Sequence, residues 1–77
     1  CVICGDDANG VHFGALTCEG CKKFYRRGLL VGEAKSYICK ADKTCEITAR
    51  TRNNCRYCRF QKCLRMGMSR DGWSLSV

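Results

Sequence analysis

The sequence predicts a small, mainly α-helical domain built from two four-cysteine modules. Each module is followed by an amphipathic helix, and the two helices cross to form one core. Three observations predict this. Nine of the 77 residues are cysteine and none is proline. Eight of the nine fall into two sets, Cys1-x2-Cys4-x13-Cys18-x2-Cys21 and Cys39-x5-Cys45-x9-Cys55-x2-Cys58. The residues after Cys18 and after Cys55 separate into apolar and charged faces at a helical period.

A chain this short buries only a modest fraction of its surface. With one Trp, three Tyr and three Phe, its apolar core is thin, and domains of this size commonly need a staple. An odd cysteine count arranged largely as Cys-x2-Cys pairs argues for metal rather than disulfides. Four soft ligands per set suit tetrahedral zinc, so the domain is read as zinc-stabilised, with two structural Zn²⁺ and a reducing compartment. Each structural zinc contributes on the order of 10–16 kcal/mol of apparent binding free energy. That exceeds what the core supplies, and the metal-free form is expected to be unfolded. Eight ligated thiolates and two Zn²⁺ lower the formal charge of +7 to about +3, so the distribution of cations says more than the net charge. The chain opens on Cys1 and reads as a fragment. It has no signal-like apolar start and no run long enough to span a membrane. Four cysteines close each site and no nucleophile–base pair is present, which argues against catalysis.

Taken in order, Cys1 and Cys4 with the turn-rich Gly5-Asp6-Asp7-Ala8-Asn9-Gly10 read as a knuckle, and Val11-His12-Phe13-Gly14 as a short extended piece. His12, the one histidine, is read as a phosphate or backbone contact because four cysteines already complete the first set. The first helix is expected from about Glu19 to Leu29 or Leu30, stopping before Gly32. On it Lys22, Lys23 and Arg26 share Glu19's side, while Cys21, Phe24, Tyr25 and Gly28 lie opposite, at about 100° per residue. Gly28 suits close packing, at roughly 1 kcal/mol relative to Ala. Residues 32–36 form a linker. The loop Lys40, Ala41, Asp42, Lys43 and Thr44 is closed by ligands at both ends, and residues 46–54 are polar and basic. The second helix is expected from near Asn54 to about Met66, with Gly67 as its stop. Phe60, Cys63 and Leu64 form its apolar stripe, with Arg59 and Lys62 to the side. Phe24, Tyr25, Phe60 and Leu64 are expected to pack together. Cys63 reads as a packed thiol rather than a ligand, and Ser69-Arg70-Asp71-Gly72 as a turn.

The ligand order resembles the nuclear-receptor DNA-binding domain. So do Cys18-Glu19-Gly20-Cys21-Lys22, followed by two aromatics and two arginines, and the run from Cys55-Arg56-Tyr57-Cys58-Arg59-Phe60-Gln61-Lys62-Cys63 to Gly67-Met68. The resemblance implies a DNA-binding domain over residues 1–68, with 69–77 the start of a C-terminal extension. It implies sequence-specific binding of double-stranded DNA by a zinc-dependent transcription factor of the nucleus. The first helix would read an AGGTCA-like half-site in the major groove while the second buttresses it. A homodimer, or a heterodimer with another nuclear receptor, is implied as the partner, with Lys40, Ala41, Asp42, Lys43 and Thr44 as the dimerisation loop.

Glu19, Lys22, Arg26 and Arg27 match positions that read or flank bases. A carboxylate accepts from cytosine N4–H, and a lysine donates to guanine O6 and N7. An acid in an otherwise cationic stripe is costly near phosphates unless it meets a donor, which favours base readout over a solvated face. The Glu19-Gly20 pair resembles the AGGTCA-reading class. Lys23 stands where the family usually has a small residue and is expected to add a contact. His12, Arg27, Arg56 and Arg59 are assigned to phosphates, contacts that position without specifying. Phe13 stands where tyrosine is common, so a hydroxyl contact is lost there. Seventeen residues separate Cys21 from Cys39, more than is common, so the linker is expected to bulge. The tail after Met68 lacks the usual basic run. The alternative is a zinc module that binds protein or RNA without base-specific readout. Glu19 beside Lys22 discriminates the two, since a shape reader gains nothing from an acid.

Overall fold

Two short strands precede the helices. In the computed structural model, which describes residues 1–69, β1 (Gly10–His12) pairs antiparallel with β2 (Ala15–Thr17). Val11 faces Leu16 and His12 faces Ala15. The two residues between the strands, Phe13 and Gly14, have φ of 55° and 92°, both left-handed, as a two-residue hairpin turn requires. Gly14 adopts this freely. For Phe13 it is strained, and the strain is offset by a ring that is 3% exposed and meets Tyr25 edge-on at 5.1 Å. The register ends β2 at Thr17, so that Cys18 follows at the foot of the first helix.

That helix, α1 (Glu19–Arg26), continues into a π-helical turn over Arg27–Val31, which Gly32 ends at φ 85°. Helical backbone therefore runs slightly past the expected Leu29 or Leu30 and stops at Gly32. A π turn takes in an extra residue without breaking the helix. The segment expected to bulge is instead a 3₁₀ turn over Glu33–Ser36, closed by Lys35 N–H to Gly32 O and Tyr37 N–H to Ala34 O. The second helix, α2 (Arg56–Arg65), starts after Cys55, slightly later than expected. Its end is a Schellman motif. Gly67 at φ 100° donates to Leu64 O, and Met68 N–H donates to Cys63 O.

The two helices meet where Gly28 leaves room for Phe60. A Cβ built on Gly28 would lie 2.7 Å from Phe60 Cε1. Phe60 also stacks on Tyr25 at 5.2 Å, and Phe24 stacks on Tyr37 at 5.5 Å. Leu64 does not join them, being 44% exposed. The buried arc of α2 is centred on Cys63 and takes in Arg59 and Phe60, so Leu64 falls beyond its edge and Arg59 falls inside it. Ile3, Ile47 and Met68 complete the core. After α2 the chain folds back as a strap. Met68 O accepts from the Tyr25 hydroxyl at 3.4 Å, and Ser69 N–H donates to Phe13 O at 2.9 Å. Past Ser69, the expected turn and the proposed extension lie outside the described residues.

Candidate metal centres and nucleic-acid interface

The Sγ atoms of Cys1, Cys4, Cys18 and Cys21 lie within 4.8 Å of one another, and so do those of Cys39, Cys45, Cys55 and Cys58. Cys4–Cys18, Cys39–Cys45 and Cys39–Cys58 are each separated by 3.7 Å. A disulfide requires about 2.05 Å. A tetrahedron of sulfurs around zinc, with Zn–S of about 2.3 Å, has edges of about 3.8 Å. Both clusters fit one structural Zn²⁺ each.

The same local device builds both. Ile3 N–H donates to Cys1 Sγ and Ala41 N–H to Cys39 Sγ, each at 3.4 Å. Cys21 N–H and Cys58 N–H donate at 3.4 Å to Cys18 and Cys55, whose sulfurs thereby cap α1 and α2. The Ala41 amide is the largest influence drawing Cys39 down to about 7, while bonding to Cys58 and then Cys39 holds Cys45 up to about 12, the split of thiols that share protons until a metal takes their place. Cys63 belongs to neither cluster. It is fully buried, and that burial pushes its thiol up to about 12, so it packs as a neutral group.

The clusters differ in what surrounds them. Arg52, from the segment between Cys45 and Cys55, donates through Nη1 to Cys4 Sγ at 3.3 Å and Cys18 Sγ at 3.6 Å. The same nitrogen meets Asp6 Oδ2 at 3.2 Å. Arg59 of α2 donates through Nη2 to Cys21 Sγ at 3.3 Å and through Nη1 to Asn53 Oδ1 at 3.2 Å, and lies 4.4 Å over the Phe24 ring. Among the described residues, no arginine donates to the second cluster's sulfurs.

Arg59, expected at a phosphate, faces mainly inward while still lining the groove beside α1. The residue is 5% exposed, and its guanidinium is committed inward to a thiolate, an amide oxygen and an aromatic face. Zn²⁺ with four thiolates is formally −2, and the two guanidinium groups match that charge. The sequence shows residues 46–54 only as basic. A thiolate cluster's need for donors was the available signal, but it does not say which arginine arrives.

On the outer face of α1, the Glu19, Lys22 and Lys23 side chains are 47%, 36% and 75% exposed. Glu19 Oε1 lies 3.7 Å from Lys22 Nζ and 3.8 Å from Lys23 Nζ. Glu19 Oε2 accepts from Asn9 Nδ2 at 2.8 Å, and Asn9 Oδ1 meets His12 Nε2 at 2.8 Å. The Asn9 amide, then the two lysines, hold the Glu19 carboxyl below the usual carboxylate range.

The groove beside α1, of about 790 Å³, brings Lys23, Arg26, Arg27, Arg56 and Arg59 together, with Phe24 and Gly20 in its wall. Arg27 Nε also lies 3.9 Å from Glu33. His12 stands apart on the hairpin, joined to the helix through Asn9. Residues 40–44 are exposed, with Thr44 bonded to Asp42 and Lys43 Nζ 5.6 Å from the Tyr57 ring centroid.

Residues 1–70 match the family model described as a double treble clef zinc finger of the C4 type. The chain is 56% identical over 71 residues to the Nuclear hormone receptor-like 1 of Onchocerca volvulus, covering 92% of this chain and 19% of that protein. It is 50% identical over 70 residues to the Nuclear receptor subfamily 6 group A member 1-B of Danio rerio, covering 91% and 15%. To the Retinoic acid receptor RXR of Biomphalaria glabrata it is 52% identical over 71 residues, covering 92% and 16%. The chain thus spans less than a fifth of the length of these relatives.

Proposed function

The chain belongs to the C4-type zinc fingers that form the DNA-binding domains of nuclear receptors, and from that premise we propose that it reads an AGGTCA-like half-site through α1. The family's members are zinc-dependent DNA-binding modules of transcription factors, not enzymes. In this reading residues 1–68 are the module and 69–77 begin a C-terminal extension. The domain works in the nucleus as a homodimer or with another nuclear receptor, and residues 40–44 supply the dimer contact. The eight clustered cysteines hold two Zn²⁺, and the metal's part is structural. It fixes the N-termini of both helices.

The observation that carries the reading is an ionised carboxylate on a cationic helix face. Glu19 is exposed, and two lysines lie beside it on one face. The major groove, about 12 Å wide, admits such a helix. There Glu19 accepts from a base amino group while Lys22 donates to guanine, with Lys23 and Arg26 reaching neighbouring bases. Arg27 and Arg56, which share one groove with Arg26, take phosphates, as does His12 on the hairpin side. Arg59 lines the same groove, and with Nη2 donating to Cys21 its phosphate role is secondary to theirs.

Lys22→Ala is expected to weaken binding to the preferred duplex by about 1–3 kcal/mol and to relax preference at one base pair. Arg56→Ala should instead weaken all duplexes alike and lower the salt slope by roughly one. A randomised-duplex selection on the zinc-loaded domain measures both. Equal loss on preferred and scrambled duplexes for Lys22→Ala would overturn base readout, leaving a zinc module that binds without it.

A further inference from the structure

We infer that Asn9 is a positioning residue for Glu19, so that the β-hairpin, and not α1 alone, sets base preference at one position of the DNA site. The inference rests on the base-reading role proposed for Glu19 and goes beyond it by assigning a residue outside the reading helix.

Glu19 is the first residue of α1, and about half of its side chain is exposed. Lys22 and Lys23, three and four residues on, draw the carboxylate along the helix surface. Both contacts are loose, at 3.7 and 3.8 Å, and both fall on Oε1. The one short contact in the other direction is Asn9 Nδ2 on Oε2, at 2.8 Å. Chemistry fixes the orientation of that amide. A carboxylate only accepts, so the NH₂ of Asn9 must face Glu19, which turns Oδ1 toward His12. His12 Nε2, 2.8 Å from Oδ1, must then be the donor.

Asn9 is thus held at both ends of its side chain, and its backbone is held as well. Its N–H donates to Thr17 O at 3.1 Å, at the foot of the hairpin. The anchor is rigid relative to α1 because β2 runs directly into Cys18, which caps that helix. With Oε2 held by Asn9, Oε1 keeps only the two loose lysine contacts and is the oxygen presented to a base amino group. Without Asn9, the carboxylate swings onto Lys22 and Lys23, and the acid and both cations leave their reading positions together.

Exposed pairs of this kind contribute little to stability, so the effect belongs in base discrimination. The test compares wild type, Asn9→Ala, Asn9→Asp, Glu19→Ala and the Asn9→Ala/Glu19→Ala double variant. Each is zinc-loaded and measured against duplexes carrying all four base pairs at each half-site position. Asn9→Asp keeps the acceptor for His12 but replaces the donor to Glu19 by a repelling carboxylate, so it breaks that bond alone even if Asn9→Ala folds poorly. A single-oxygen contact discriminates less than the bidentate pairs that reach about 5- to 150-fold, and loss of its anchor should flatten the preference at the Glu19 position by about 3- to 10-fold. Zinc stoichiometry and affinity for scrambled duplex should stay level in Asn9→Ala, and the double variant should add nothing to Glu19→Ala.

If Glu19→Ala flattens one position while both Asn9 variants keep the wild-type preference, the inference is overturned and base reading by Glu19 stands. A flattening by Asn9→Ala that persists undiminished in the Glu19→Ala background also overturns it. If Glu19→Ala itself changes no preference, the base-reading role falls, and this inference with it.

Discussion

Replacing Arg52 by alanine asks whether the second half of the chain holds the metal of the first half. The substitution removes one nitrogen that donates to Cys4 Sγ at 3.3 Å and Cys18 Sγ at 3.6 Å, and that also meets Asp6 at 3.2 Å. The Arg52 side chain is 23% exposed, so solvent replaces these bonds poorly. A hydrogen bond to a charged group contributes about 1.5–3 kcal/mol. Loss of an outer partner of a metal ligand typically lowers metal affinity by 10–100-fold, or about 1.4–2.8 kcal/mol, and the two estimates agree. The assay is chelator titration of the zinc-loaded domain with thiol alkylation mapped by peptide, which reports each cluster separately. Metal should leave Cys1, Cys4, Cys18 and Cys21 at about 10–100-fold lower chelator strength than in wild type. Arg52→Lys should fall between, because the ammonium keeps the charge and its donors but the shorter side chain does not carry them to the position of Nη1. Unchanged extraction at the first cluster would show that Arg52 does not hold its metal.

Two further outcomes follow from the packing. Gly28→Ala places a Cβ 2.7 Å from Phe60 Cε1 and 3.0 Å from Cδ1, so the helices must part. It should cost about 1–3 kcal/mol although alanine is the better helix former, and a raised urea midpoint of the zinc-loaded domain would contradict this. Cys63→Ser buries a hydroxyl where a neutral thiol sits fully enclosed, at about 1–3 kcal/mol. Native mass spectrometry should still count two zinc ions, and loss of one would make Cys63 a ligand after all.

What could be read from the sequence follows from the range over which each feature is determined. Ligand spacing, the capping of a helix by the first cysteine of a Cys-x2-Cys pair, and the stops at Gly32 and Gly67 are decided within a few residues. Such features are legible. The phase of α2 is not, because the wheel orders residues around an axis without saying which angle faces the partner helix. Gly28 sets that angle by admitting Phe60. The same phase exposes Leu64 and buries Arg59 together. Asn9 was missed for another reason. Its approach to Glu19, ten residues on, depends on a hairpin whose turn holds Phe13 at φ 55°, a conformation no propensity assigns to phenylalanine.

The long-range contacts also change how the two modules relate. As a sequence they look like a repeated plan, four cysteines and a helix, each able to close around its own metal. In the structure the first cluster draws two of its donors, Arg52 and Arg59, from the second half of the chain. Arg52 lies in the segment bounded by Cys45 and Cys55, and Arg59 directly follows Cys58, so ligands of the second cluster flank both. Disturbing the second cluster should therefore withdraw positive charge from the first, which caps α1 and sets where Glu19 stands. The route from the remote cluster to the reading face runs through guanidinium, thiolate and helix cap. It needs no moving part, only that the second half hold two arginines in place.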